Sequence, residues 1–397
     1  MPFNFMKLTI KSRPEDFIVE EVAPLPLTKK GTHGVYLLTK KGWNTLDVLR
    51  DIAKKLRIHF ENLSYGGKKD RHALTTQYIT IAGARIGDFE EKNYILRFAG
   101  FMDRPMGPDL IAGNKFEITL RKLKTADIES AKQEMAVVGQ FGFPNFFDDQ
   151  RFGSFDLIQG FFAEKILKGH FNGALKIYLT AIHSDDKKEE KDRKKFFIEH
   201  WKDWAVCKTC AKTEWEQKAF DFLAQSKSDF LPLLRQIPDE VLSLYISAYQ
   251  SFIWNEVLRR VLAARKVSPL KAYKGIAGDY LFFGELNADD DKYFRELIIS
   301  GMSGKTKMPD SACEEIYAQI LKEQGITHAM FNKLKLRQGY FKSTDRSAVI
   351  KPENLSFEVG DDELNHSAQK MILKFILPRG SYATMLVKRL FSHKLSN

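Results

Sequence analysis

A single carboxylate set among cations is the feature of this sequence best suited to chemistry. Asp70 follows Gly66-Gly67-Lys68-Lys69 and precedes Arg71. The two glycines can adopt positive φ, so the backbone can bend sharply here. Lys68, Lys69 and Arg71 would keep the carboxylate ionised and would attract phosphate groups. This pattern suits an acidic nucleophile that works beside a polyanion, although the same composition also suits a solvated turn.

Composition bounds the size and the partner of the protein. The 397 residues suffice for two domains with their own cores, and the net charge of +11 favours a polyanionic partner. Charge alone does not separate RNA from DNA or a membrane surface. No run approaches the roughly 18 apolar residues that a membrane span needs. Residues 1–10 lack the apolar core of a signal peptide, so we expect a cytoplasmic protein that does not bind membranes.

Two other classes of site receive little support. Cys207 and Cys210 form a CxxC, but no second pair of ligands stands at zinc spacing, so reduced thiols and no metal are expected. The sequence also lacks GxxxxGK[ST], which argues against a helicase or another nucleotide-dependent enzyme.

Hydrophobic periodicity predicts the elements around Asp70. Polar and apolar residues alternate after the glycine turn, which indicates a half-buried strand over 75–82. Gly113-Asn114 predicts a turn before the strand at 115–121. Short strands alternate with helices over the first 140 residues, as in a mixed α/β domain. Further strands are predicted at 7–11, 17–21, 33–39, 340–347, 351–359 and 370–377, and helices at 44–58 and 126–139.

The sequence changes character after about residue 170. Residues 183–195 are almost entirely charged, which is typical of a solvated helix or a flexible loop. Apolar residues at helical spacing predict a core helix over 240–263. Other helices are predicted at 196–204, 214–225 and 310–324.

Two further segments combine aromatic and polar residues. Residues 144–153 hold three phenylalanines beside an asparagine, a glutamine and an arginine. A packed loop has this composition, but so does a pocket for one extruded base, in which rings stack and amides bind the base edge. Residues 377–390 predict a strand end, a glycine turn and a helix that starts near Ser381 or Ala383. That helix N-terminus is either a phosphate site or an ordinary capped end.

These segments resemble the TruD family of tRNA pseudouridine synthases. The family signature G-x-K-D-R/K-x-A-x-T-x-Q is matched by residues 67–77, which places the family's catalytic aspartate at Asp70. The element K-x-x-P-E-D-F-x-V-x-E is matched by residues 11–21 and marks Lys11 and Phe17 as active-site residues.

Two more elements carry the resemblance to the C-terminus. The signature P-N-[YF]-[YF]-G-x-Q-R-F-G resembles residues 144–153, where Asp148 replaces the usual glycine. The terminal element L-P-x-G-S-[FY]-A-T is matched by residues 377–384. The substrate-binding residues that these two elements imply are Asn145, Phe147, Gln150, Arg151 and Tyr382.

The resemblance implies an α+β protein with a mixed sheet. Its pseudouridine synthase catalytic domain would comprise residues 1–170 and 346–397, and a large, mostly α insertion domain would comprise residues 171–345. The implied partner is tRNA rather than DNA, and we expect a monomer. Lys68, Lys69 and Arg71 would bind phosphate.

The implied reaction is the isomerisation of one uridine in tRNA, at position 13 of the D arm in bacterial members, to pseudouridine. It needs no metal or other cofactor, because no redox change or external group is involved. Asp70 would attack the ribose C1′ or would first abstract a proton to give a glycal, and the sequence leaves both routes open. Lys11 would pair with Asp70 or with a phosphate. A non-catalytic RNA-binding protein is the alternative.

Overall fold

The computed structural model describes residues 9–83, 86–183, 186–226, 228–267, 269–332, 336 and 341–392. The described strands, in chain order, are β1 (Thr9–Ile10), β2 (Phe17–Val22), β3 (His33–Lys41), β4 (Leu63–Tyr65), β5 (Leu74–Ala82), β6 (Phe89–Glu91), β7 (Tyr94–Met102), β8 (Gly113–Leu123), β9 (Phe143–Pro144), β10 (Leu270–Gly275), β11 (Gly278–Phe283), β12 (Ile298–Ser300), β13 (Asp345–Ser347), β14 (Val349–Ile350), β15 (Glu353–Asp361) and β16 (Gln369–Pro378).

The α-helices complete the described elements. In chain order they are α1 (Thr45–Leu56), α2 (Thr125–Phe141), α3 (Phe162–Leu167), α4 (Phe171–Thr180), α5 (Lys188–Glu199), α6 (Trp204–Thr209), α7 (Glu214–Ser226), α8 (Leu231–Leu234), α9 (Asp239–Ala264), α10 (Ala288–Glu296), α11 (Ser311–Glu323), α12 (His328–Phe331) and α13 (Ala383–Leu390).

The described chain forms two compact units. The helical domain is Pro144–Val349, and the sheet domain holds the described residues up to Phe143 together with those from Ile350 onward. The predicted insertion domain, residues 171–345, lies within the helical domain. Its boundaries stay a prediction, because a compact unit need not coincide with an inserted segment.

The sheet domain is built on one mixed sheet. Among the described residues the strand order is β15-β16-β8-β2-β5-β3-β7-β6, with β1 added beside β8 and β4 beside β5. The β2–β5 pair is parallel, and its neighbours in the sheet are antiparallel. The mixed sheet with its helices confirms the predicted α+β class.

Helix α1 covers one face of this sheet. Its buried residues Val48, Leu49 and Ile52 pack against Tyr36 and Leu38 of β3. Val48 and Ile52 are fully buried, whereas Leu46 in the first turn is only half-buried. A residue at i, i+3 and i+4 shares a helix face, so Val48 and Ile52 form the same stripe as Leu49. Every second residue of β3, counted from Tyr36 and Leu38, points to this covered face.

The predicted turn at Gly113-Asn114 is wrong. Both residues lie within β8, where Gly113 pairs with Pro378 and Asn114 pairs with Leu377. A Cβ atom on Gly113 would come within 2.4 Å of the Leu377 carbonyl oxygen. The glycine is thus explained by close approach of two backbones rather than by a turn.

The helical domain follows most of the predicted helices. Helices α7, α9 and α11 confirm the predictions at 214–225, 240–263 and 310–324. The predicted helix at 196–204 is wrong, because α5 ends at Glu199 and α6 starts at Trp204. The predicted strand at 340–347 is confined to β13 among the described residues, and Tyr340 lies outside them.

Two further observations concern the sequence predictions. Cys207, Cys210 and Cys313 form no disulfide among the described residues. Among the described residues, no helix combines the length and the apolar composition that crossing a lipid bilayer requires.

Candidate active site

Asp70, Lys11 and Phe17 lie together in the sheet domain. The Lys11 ammonium lies 2.8 Å from Asp70 Oδ2 and 4.0 Å from the centre of the Phe17 ring. Both charged side chains remain accessible, with 25% and 42% of their surface exposed, whereas Phe17 is buried. The ion pair stabilises the negative charge of the carboxylate, and the ring face attracts the ammonium. An accessible, charge-balanced carboxylate of this kind can act as a nucleophile or a base.

The Lys11 segment is fixed by a buried ion-pair network. Lys11 has a φ of +65°, a left-handed conformation that costs a non-glycine residue roughly 1–2 kcal/mol. Arg121, which is completely buried, binds both oxygens of Asp16 at 2.7 and 2.9 Å. It also binds Asp362 at 2.9 Å. The surrounding network therefore holds the strained segment in place.

Buried polar side chains support the Asp70 loop from the sheet. Thr45 Oγ1 accepts a hydrogen bond from Lys69 N at 3.0 Å and donates one to Gln77 Oε1 at 3.0 Å. Gln77 Nε2 donates to the Gly67 carbonyl at 3.0 Å. Both side chains are buried, so their hydrogen bonds are shielded from water. Gln77 of the matched signature thus fixes the conformation of the loop through hydrogen bonds from β5.

A lysine that the sequence reading did not single out also contacts this loop. The Lys40 ammonium donates to the Asp70 carbonyl at 2.8 Å and to the Trp43 carbonyl at 2.9 Å. Lys40 is completely buried. Burial lowers the pKa of Lys40 to about 8. The sequence signal that would have identified Lys40 is the alternation of side-chain direction along residues 36–40. This alternation points Lys40 to the same face as Tyr36 and Leu38.

The three predicted phosphate-binding cations differ in their surroundings. Lys69 Nζ lies 2.8 Å from Glu21 Oε1 and donates to Asn114 Oδ1 at 2.7 Å, and only 10% of its side chain is exposed. The structure therefore assigns the Lys69 charge to an internal ion pair. Lys68 and Arg71 are exposed, as phosphate binding requires.

In the helical domain, the Asn145 carboxamide is buried and bonded on both sides. Its Oδ1 accepts from Arg346 Nη2 at 2.6 Å, and its Nδ2 donates to the Ser347 carbonyl at 3.1 Å. Arg346 Nε also donates to the Asn145 carbonyl at 2.8 Å. These bonds orient the segment, and in this conformation they occupy the groups that would bind a uracil edge.

Phe147 is held on its ring and on its backbone. The Arg346 guanidinium lies 4.1 Å from the ring centre, and the Trp254 ring meets it edge-on at 5.4 Å. Asn255 accepts from the Phe147 N–H and donates to its carbonyl, each at 2.9 Å. The ring is only partly buried. Phe147 is therefore a firmly placed, partly accessible aromatic surface.

The rest of this segment forms a short 3-10 helix, Asp149–Phe152. Asp149 Oδ1 accepts from Tyr280 Oη at 2.7 Å and from the Ile276 N–H at 2.8 Å. Gln150 is exposed, and the Arg151 guanidinium lies 5.7 Å from the Phe147 ring centre. Asp148 has φ −81° and ψ 164°, an ordinary extended conformation. The replacement of the usual glycine therefore causes no backbone strain.

Tyr382 precedes α13 as its N-cap residue and is half-buried. The turn before it is fixed by Arg379, which donates from its N–H to the Ala112 carbonyl at 3.1 Å and from Nη1 to the Pro108 carbonyl at 2.7 Å. The predicted helix start near Ser381 or Ala383 is confirmed, since α13 begins at Ala383.

Arg346 and Asn255 are the residues of the helical domain that the sequence reading missed. Arg346 lies 201 positions after Asn145 in the chain. No local periodicity or spacing relates such distant residues, so only the fold reveals the contact.

The comparisons with known proteins identify the family. Residues 5–390 match the family model described as tRNA pseudouridine synthase D (TruD). A relative from Leptospira interrogans, described as tRNA pseudouridine synthase D, is 32% identical over 98% of this chain and 97% of its own length. A relative of the same description from Aquifex aeolicus is 29% identical over 97% of this chain and 98% of its own. The chain therefore belongs to the TruD family of tRNA pseudouridine synthases.

A solved structure shows the same fold. A crystal structure from Methanosarcina mazei, assigned to tRNA pseudouridine synthase D, superposes with a TM-score of 0.73 and 24% identity. The match covers 97% of this chain and 94% of that one. The likeness extends over both compact units and supports the α+β architecture.

Proposed function

We propose that this protein isomerises one uridine of tRNA, uridine 13 in the D arm, to pseudouridine with Asp70 as the reacting group. The observation that carries the proposal is the contact of an accessible Asp70 carboxylate with Lys11, which also covers the Phe17 ring. Membership in the TruD family supports the reaction class.

Asp70 begins the reaction as an anion. It either attacks the ribose C1′ while the uracil leaves, which gives an ester, or removes the C2′ proton as the uracil leaves, which gives a glycal. The uracil then turns and its C5 bonds to C1′. In the first route the carboxylate leaves C1′ as this bond forms, and in the second the proton returns to C2′. The C5 proton is lost to solvent or to a base. Lys11 stabilises the anion and orients it through the 2.8 Å ion pair. Both routes need a charged carboxylate beside the ribose, at C1′ for attack or at the C2′ hydrogen for proton removal.

The target base must leave its stack to reach Asp70, at a cost of a few kcal/mol. Phe147 and Tyr382 are partly accessible rings that can offset this cost by stacking. Gln150 and Arg151 are polar neighbours of Phe147 that can bind the base or its phosphate. Lys68 and Arg71 attract the backbone phosphates beside Asp70.

The test uses tRNA transcripts without modifications. Purified protein treated with a chelator is incubated with each transcript, and pseudouridine is mapped at single-nucleotide resolution. We expect one product at position 13 and none in a transcript with cytidine at that position. Modification at another position would correct the proposed target. Tight tRNA binding without any pseudouridine would instead favour the non-catalytic RNA-binding protein.

A further inference from the structure

Lys40 carries a buried charge at the base of the Asp70 loop. Its ammonium donates to the carbonyls of Trp43 at 2.9 Å and Asp70 at 2.8 Å, with Lys69 O at 3.4 Å. Lys40 has no surface exposed, and it makes no ion pair among the described side chains. Burying a charge without a paired carboxylate is costly, so such a group is uncommon unless it has a specific use.

The position of Lys40 follows from the register of the sheet. Lys40 pairs with Thr75 of β5 on one side and with Tyr94 of β7 on the other. Paired residues point to the same face, and α1 covers this face over Tyr36 and Leu38. Lys40 therefore extends from the covered face to the Asp70 loop, which precedes β5.

Two charged groups act on the Lys40 ammonium, and both belong to the Asp70 loop. The loop supplies the Asp70 carboxylate, which favours the charged form of Lys40, and the Lys69 ammonium, which opposes it. Tyr94, the β7 residue paired with Lys40, directs its hydroxyl to Asp51 of α1, to which it donates at 2.7 Å. Burial is the largest influence and lowers the pKa of Lys40 to about 8.

We propose that Lys40 is a positioning residue, whose protonated ammonium fixes the backbone of Asp70 and so holds the carboxylate against Lys11 in the reactive arrangement. The ammonium has three donors and meets three backbone carbonyls of the loop and of the segment before α1. The inference rests on the proposed function, because Asp70 is the reacting group in both.

The neutral amine would hold the loop less well. It has two donors instead of three, and hydrogen bonds from a charged donor are about twice as strong as those from a neutral one. Loss of the proton would therefore loosen the Asp70 backbone without removing any group that contacts RNA. The rate of the chemical step should fall above pH 8, whereas tRNA affinity should change little.

The main test replaces Lys40 with methionine, which has similar length and no charge. Lys41→Met is the matched control, because Lys41 is the next residue along β3 and is exposed. Single-turnover rate, tRNA affinity and melting temperature are measured for both variants. We expect Lys40→Met to lower the rate 10- to 100-fold and to change affinity less than 3-fold, whereas Lys41→Met matches the parent.

Two further readouts distinguish positioning from a merely structural role. The alkaline decrease of the parent rate, with an apparent pKa near 8, should be absent in Lys40→Met, while ionisation of uracil affects both proteins equally. Amide hydrogen exchange over residues 66–73 of the free protein should be faster in Lys40→Met and unchanged in Lys41→Met. Exchange needs no RNA, so it tests the positioning of the loop even if the proposed reaction fails.

A folded Lys40→Met protein with the parent's rate and the parent's exchange over 66–73 would overturn the inference. If this variant does not fold, the inference is tested on the parent alone, through the pH dependence of its loop exchange and of its single-turnover rate. Loop exchange and single-turnover rate that stay constant from pH 7 to pH 9.5, after correction for the intrinsic pH dependence of exchange, would contradict it. An inactive parent with normal loop behaviour would instead contradict the proposed function.

Discussion

The Asp70 loop and the Asn145–Gly153 segment both match family signatures, but they orient their polar groups differently. In the sheet domain, the Asp70 carboxylate is accessible, and the polar side chains below it are buried. In the helical domain, the Asn145 carboxamide is itself buried and bonded to Arg346 and Ser347. A signature residue can therefore be a group that meets substrate or a group that holds the segment.

The same difference recurs within the Asp70 loop. Lys68 and Arg71 are exposed, whereas Lys69 is paired with Glu21, a carboxylate whose side chain is fully buried. Adjacent lysines in a basic stretch thus have different roles, because the backbone directs one outward and the next across the sheet. Substitution of an exposed residue should therefore change RNA affinity or rate. Substitution of a buried one should change the stability of the fold.

The largest effect is expected for Asp70→Asn. This change keeps the size of the side chain but removes the anion that either reaction route needs. We expect at least a 10³-fold loss of rate, roughly 4 kcal/mol in activation free energy, with tRNA affinity and melting temperature close to the parent. Asp88→Asn, at another exposed aspartate of the sheet domain, is the control. Substantial turnover by folded Asp70→Asn would show that Asp70 is a structural residue of the turn and not the reacting group.

Lys69→Met should destabilise the fold without weakening the electrostatic contribution to RNA binding. It leaves the buried Glu21 carboxylate without its cation, for which a loss of about 3 kcal/mol in unfolding free energy is expected from urea denaturation. Lys68→Met is the matched control in the same loop. It should leave stability within about 0.5 kcal/mol and reduce the salt dependence of tRNA binding by about one counterion. The opposite pattern would show that Lys69 binds phosphate.

Asn145→Ala tests the inward-facing group of the helical domain. Arg346 and Ser347 each lose a hydrogen-bond partner, so we expect the unfolding free energy to fall by about 2 kcal/mol. Gln150→Ala, at an exposed residue of the same segment, should lower tRNA affinity and leave stability unchanged. A stable Asn145→Ala protein with strongly reduced rate would show that the carboxamide turns toward the substrate.

The smallest effect is the pH dependence of stability caused by Lys40. Its pKa is about 8 in the folded protein and near the ordinary value of 10.5 when unfolded, so the unfolded chain binds more protons between these values. The unfolding free energy of the parent should therefore rise relative to that of Lys40→Met, by about 1.8 kcal/mol between pH 7.5 and pH 9.5. Urea denaturation at pH 7.5 and pH 9.5 measures the difference. The absence of this relative rise would show that the pKa of Lys40 is not lowered in the folded protein.

Local signals explain which elements the sequence predicted well. The helix predicted at 310–324 agrees with α11, whose N-cap residue Asp310 accepts from the Cys313 N–H at 2.8 Å. The predicted strand at 370–377 agrees with β16 because its alternation is long and regular. The helix predicted at 196–204 failed because apolar spacing continued across the turn between α5 and α6.

The sequence alone determined the position of the candidate carboxylate, the family to which the chain belongs and the longer helices and strands. Those properties depend on neighbouring residues, whose spacing is visible along the chain. The tertiary structure alone decided that Lys11 reaches Asp70, that Lys69 turns to Glu21 and that Arg346 binds Asn145. These contacts join residues far apart in the chain, and their orientation depends on strand register and burial, which no local pattern encodes.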